Sequence, residues 1–140
     1  MNAISREDTI KDILRKTGRI SVVGYSGSAM RAGRYVPEYL AAHGYQIAAV
    51  NPNLPADFGA ADRYDRLDEV PAPLDLVLIF RRLQYLSDIV DQAIALNANS
   101  IWMQLGLSHP AAAARARAAG ISVVMDACMM VEHRRWETDP

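Results

Sequence analysis

The chain has 140 residues, 51% of them hydrophobic and 22% charged, with a formal net charge of -1. That length supports one well-buried core and leaves no room for a ligand-binding domain plus a separate catalytic one. The near-neutral balance supplies no global field for nucleic acid or an anionic membrane, and no apolar run approaches the ~20 residues that cross a bilayer.

Residues 1–8 lack the basic and apolar regions of a secretory leader, and the single cysteine, Cys128, cannot form an intrachain disulfide, so a cytoplasmic location is expected. The N-terminal segment then reads as a helix. Ser5 caps it with Asp8 three residues on, Ile10, Ile13 and Leu14 share a face, and Gly18 stands where a helix stops. Strand-like runs follow at 20–24, 46–50, 75–80, 100–103 and 121–125, all short and apolar or β-branched rather than alternating. Such strands are covered on both faces.

Helical patterns lie between them: Val36, Tyr39 and Leu40; then Leu83, Leu86, Val90, Ala93 and Ile94; then the alanine-rich 110–119 before Gly120. A last helix is predicted over 129–136, with the tail 137–140 frayed. Residues 51–73 carry Pro52, Pro55, Pro71 and Pro73 and read as loop with a short helix near 67–70, forming one wall of a cleft. The whole, 1–140, is expected to be a single α/β domain. Right-handed crossovers predict a doubly wound, Rossmann-like parallel sheet of about five strands in order 3-2-1-4-5, with an added N-terminal helix.

The junction after the first strand is the strongest functional signal. Gly24, Tyr25, Ser26, Gly27 and Ser28 run through Arg31 to Gly33 and into a helix, so backbone N–H groups, hydroxyls and the positive end of a helix dipole converge on one point. That arrangement suits phosphate. The glycine spacing departs from the dinucleotide fingerprint, and the bland reading is a tight strand-to-helix turn. After the second strand stands Asn51-Pro52 rather than the Asp or Glu that binds NAD ribose; a neutral Asn51 tolerates a ribose carrying an extra phosphate, as in coenzyme A or NADP, or simply makes a turn.

Phe80 ends the third apolar run and Arg81-Arg82 follow it directly, so at least one arginine is placed to meet a pyrophosphate or ribose phosphate, or alternatively the pair opens a solvated helix. Gln104 ends the fourth run and either bonds a ligand amide or fixes its own loop. Cys128 lies near the start of the last helix, where it is either acidified or a small buried hydrophobe. His43, His109 and His133 show no metal-site spacing, and Gly24-Tyr25-Ser26-Gly27 lacks the glycine placement of a nucleophile elbow. No acid–base pair can be nominated.

Taken together these segments resemble the stand-alone CoA-binding domain proteins, relatives of the nucleotide-binding domain of the succinyl-CoA synthetase α subunit and of ADP-forming acyl-CoA synthetases. The resemblance runs from about Ile10 to Trp136 and rests on Val23-Gly24-Tyr25-Ser26, Gly44-Tyr45, Val50-Asn51-Pro52, residues 77–82, Trp102-Met103-Gln104-Leu105-Gly106, Ala119-Gly120 and residues 123–128. It departs at Ala127, where relatives often carry a basic residue, and at Met129-Met130. It implies a Rossmann-like fold whose loops after the first three strands hold coenzyme A, carried onto residues 24–31, Asn51-Pro52 and residues 80–82. The implied role is non-enzymatic binding of coenzyme A or acyl-CoA. An NADP- or NAD-binding oxidoreductase or redox sensor is one alternative; a subunit that lends this domain to a separate acyl-CoA ligase is another. A homo-oligomer or protein partner stays open.

Overall fold

The structure, a computed structural model, describes residues 4–59 and 61–138. In chain order it contains α1 (Arg6–Lys16), β1 (Arg19–Val23), α2 (Ala32–Ala42), β2 (Gln46–Val50) and β3 (Asp62–Tyr64). A turn of 3-10 helix (Leu67–Glu69) leads to β4 (Leu76–Ile79), α3 (Leu83–Ala95), β5 (Ser100–Met103), α4 (Pro110–Ala118), β6 (Ser122–Val124) and α5 (Met129–Thr138). No helix among the described residues is long and apolar enough to cross a membrane.

Local signals set the helix ends. Ser5 Oγ accepts from Asp8 N–H at 3.1 Å, acids occupy the first turn of α1 and Arg15 and Lys16 the last, which satisfies an orphan donor and complements the helix dipole. The buried face of α1 is Ile10, Ile13 and Leu14, as its periodicity predicts.

All strand pairs are parallel, in the order β3-β2-β1-β4-β5-β6. The expected order 3-2-1-4-5 is present and extended by a sixth strand. Its third place belongs to the short Asp62–Tyr64, inside the stretch read as loop, and the apolar run near 75–80 is the fourth strand, directly beside β1. Strand β3 carries no apolar run, since Asp62 and Arg63 are exposed. The backbone edge of β2 recruits it.

Alternate residues of the central strand β4 enter opposite cores: Val77 and Ile79 pack with Leu86, Val90, Ile101 and Met103, whereas Leu76 and Leu78 pack with Ile20, Val22, Leu40 and Trp102. A strand buried on both faces reads as a continuous apolar run, which is why this one was legible. The tail differs from expectation, because α5 continues through Glu137 to Thr138, whose hydroxyl donates to the carbonyls of Arg134 and Arg135. Residues 139 and 140 of that predicted frayed tail lie outside the described residues.

Register is what positions the site. Val23 stands opposite both Val50 and Ile79, so β1, β2 and β4 end level with one another. The ladder runs one step further, with Gly24 N–H donating to Val50 O and Phe80 N–H to Val23 O, at 3.0 and 2.9 Å.

Candidate functional site

The chain leaves β1 at Gly24, whose φ of +91° is a left-handed conformation, and a Cβ there would lie 2.8 Å from Phe80 O. Only glycine fits. The loop beyond folds onto itself: Ser26 N–H donates to Gly33 O, Ser28 N–H to Ser26 Oγ, and Arg31 N–H to Ser28 O, at 3.0, 3.1 and 3.1 Å. Residues 27–31 are exposed. Helix α2 begins after Arg31, which makes no side-chain cap, and its first turn holds no acid. The N–H of half-buried Ala32 therefore has no helical partner at the positive end of the helix, whereas Gly33 is buried against the strand.

Gly33 brings α2 close to the strand, because a Cβ there would meet Gly24 O at 3.0 Å; a Cβ on Gly27 would meet Pro55 Cδ at 3.1 Å. The glycines at 24 and 33 thus do the work of a tight turn and a close helix–strand approach, although their spacing differs from the dinucleotide fingerprint.

Beside this loop, across the carboxyl ends of the three level strands, lies a cleft of about 620 Å3. It is lined by Gly24, Asn51, Pro52 and Arg81, four of the residues the sequence singles out, with Leu67 and Tyr85 among its other walls. The Arg81 guanidinium sits 4.4 Å above the Tyr85 ring. That stack holds a cation and an aromatic face together at the mouth, suited to a phosphate and a flat base.

Asn51 is already committed to the protein. Its Nδ2 donates to Tyr25 O at 2.8 Å, its Oδ1 accepts from Asn53 N–H at 2.8 Å, and its backbone N–H donates to Tyr64 O at 3.0 Å. It joins the β1 loop to the β2 loop. Tyr25 itself is buried, 2% exposed, edge-on to Phe58 with Arg34 5.8 Å from its ring centre. Burial pushes its hydroxyl above the ordinary tyrosine range, and Arg34 opposes that rise.

Other sequence candidates stand apart from the cleft. Arg82 is the exposed residue that precedes α3, and Phe80 is half-buried against the core on the α2 side. Gln104 is 5% exposed, and its Oε1 accepts from Met129 N–H at 3.4 Å, which ties the end of β5 to the start of α5 rather than to its own loop. His109 caps α4 through a bond from Ala112 N–H to Nδ1, and Cys128 is half-buried against the core. Among the described residues no group of three or more His, Cys, Asp or Glu side chains is placed to hold a metal ion.

Sequence reasoning missed four of the cleft's charged residues and its aromatic. Asp65, Arg66 and Asp68 come from the segment after β3, and Asp88 and Tyr85 from α3. Tyr85 lies four residues after Arg81, the helical spacing that could have revealed the pair. A separate cavity of about 400 Å3 runs between α2 and β2 from Tyr25, another residue the sequence singles out, past Arg34, Glu38 and Ile47 to Arg19 and Gln46 at the strand starts.

Residues 18–134 match the model of a family described as CoA binding domain. The chain is 33% identical over 124 residues to the protein YneT of Bacillus subtilis, covering 89% of this chain and 91% of YneT. The solved structure of cell-free ID.343 from Thermus thermophilus aligns at a TM-score of 0.84 and 33% identity, over 97% of this chain and 99% of that one. A hypothetical protein from Pyrococcus horikoshii aligns at 0.87 and 30%, over 96% and 94%.

Proposed function

Because the chain belongs to the CoA binding domain family, we propose that it is a non-catalytic cytoplasmic module that binds coenzyme A or acyl-CoA, for regulation or acyl-group handling. The observation that supports this reading is that Gly24, Asn51, Pro52 and Arg81, from the ends of three different strands, line one cleft, and that Gly24 also opens the loop into α2. The pyrophosphate lies at the Gly24 end of the cleft and reaches the exposed loop 27–31, where the start of α2 favours an anion. Arg81 and Tyr85 take the adenine and ribose-phosphate end. The pantetheine arm leaves across the exposed rim.

A ligand that binds only the native state raises its stability by mass action, about 2.7 kcal/mol at one hundred times its dissociation constant. Thermal-shift measurements with coenzyme A, acetyl-CoA, dephospho-CoA, NAD and NADP at equal concentration test the reading. The largest shift is expected for coenzyme A or its acetyl form. A larger shift with NAD overturns it.

One observation favours the NAD arm of that panel. No acid follows β2, yet Asp65 and Asp68 reach the same cleft from the segment after β3, where a carboxylate can bond ribose hydroxyls and repel a ribose phosphate. A nicotinamide-dinucleotide site is the second reading on that ground.

A further inference from the structure

Away from the cleft, where α2 meets α5, two imidazoles share one carboxylate. His133 is 3% exposed, and its ring lies 5.1 to 5.7 Å from those of His43, Tyr39, Trp136 and Tyr45. Its Nδ1 is 2.9 Å from Tyr39 Oη, and its Nε2 is 4.0 Å from one oxygen of Glu137. His43 Nε2 lies 4.0 Å from the other oxygen of Glu137. Because a carbonyl only accepts, the 2.7 Å contact between His43 Nδ1 and Tyr39 O fixes the proton of neutral His43 on Nδ1. Its Nε2 lone pair therefore faces the carboxylate.

We propose that His43, His133 and Glu137 form a proton-operated clasp between α2 and α5, closed while His133 is neutral and opened when His133 takes a proton. Glu137 can neutralise one imidazolium at a time. A cation in the buried His133 ring lies 5.1 Å from a second imidazole that faces the same carboxylate, so it has no counter-ion of its own. Among the described residues no other acid pairs with either ring, Glu132 on α5 being paired with Arg135. The remaining neighbours are the phenols of Tyr39 and Tyr45 and the cation Arg134, 5.0 Å from the Tyr39 ring; Glu7 and Lys11 of α1 line a groove with Trp136 and make no bond to His133.

Burial lowers the His133 pKa below the ordinary imidazole range; Glu137 opposes the shift and His43 adds to it. Above the unfolded value of about 6.5 both states are neutral and the clasp contributes its full stability. As pH falls through the lowered folded value that contribution is lost, because the unfolded chain has already taken the proton.

The test is an NMR titration of the imidazole protons in the unaltered chain, with Trp136 emission followed alongside. His133 is expected to titrate below about 6.5, together with a change at Trp136. Titration at or above that value, or without a response from Trp136, overturns the proposal. Thermal melts at about pH 7.5 and about pH 5.5 give the second arm: wild type loses at least about 3 °C more than His133→Gln. Glu137→Gln enlarges that loss and His43→Gln shrinks it. Equal losses in wild type and His133→Gln overturn the clasp, and the titration decides even if that variant does not fold.

Discussion

Arg81 and Arg82 are adjacent in the chain, yet only Arg81 lines the cleft, stacked on Tyr85, while Arg82 is exposed before the first turn of α3. Arg81→Ala is therefore expected to weaken coenzyme A binding by about 1–3 kcal/mol, the scale of charge-assisted hydrogen bonds. Arg82→Ala should change it little. Calorimetric titration of the two single variants separates them, and equal effects would mean that the ligand lies outside the cleft. Asn51 poses a different question, because its side chain holds Tyr25 O and Asn53 N–H. Asn51→Asp removes the donor and sets a carboxylate against the Tyr25 carbonyl, so a stability loss of about 1–3 kcal/mol is expected, with coenzyme A and dephospho-CoA weakened alike. Chemical denaturation and paired titrations check this; selective loss of coenzyme A alone would place the ribose phosphate beside residue 51. Sequence reasoning found these positions by their place after strands. It could not see that the Asn51 amide is spent inside the protein, since its partner at Tyr25 is 26 residues away.

At the scale of elements, the turn from β1 into α2 depends on backbone that no side chain can share. Gly24→Ala would force φ near +91° on a residue with a Cβ and drive that Cβ against Phe80 O. Strain of this kind costs on the order of 1–3 kcal/mol. The expected result is a lowered melting temperature together with weakened coenzyme A binding, read by thermal melt and titration, because the end of β4 and the start of α2 meet at this residue. An unchanged melt would show that the loop relaxes freely. The same elements show what made the fold legible. Strands β1, β4 and β5 are buried on both faces, so their apolar runs announce them, and α1 shows both its cap and its stripe. Strand β3 is held by hydrogen bonds to the backbone of β2 rather than by apolar burial, with exposed Asp62 and Arg63. It left no hydrophobic pattern, and the cleft residues Asp65, Arg66 and Asp68 that follow it were hidden with it.

For the molecule as a whole, an open sheet leaves two edges, each a row of backbone groups able to pair with another chain. The edge at β3 is three residues long and carries the charges of Asp62 and Arg63. The edge at β6 is as short, and two arginines occupy carbonyls along and just beyond it: Arg117 Nη2 donates to Val123 O at 3.1 Å, and Arg6 Nη2 to Met125 O at 2.7 Å and Asp126 O at 3.3 Å. Helices α1 and α4 thus each lend a guanidinium to close that side. The Arg6→Ala, Arg117→Ala double variant frees these acceptors and is expected to self-associate at concentrations where wild type does not, as measured by light scattering after size exclusion. Both substitutions make the net charge more negative, which by itself opposes association, so any gain in mass comes from the uncovered edge. Arg135→Ala, which removes an exposed ion pair with Glu132 on α5, serves as the control and should behave as wild type. If the double variant keeps the mass of wild type, the shortness of β6 alone prevents pairing and the two arginines do not guard it.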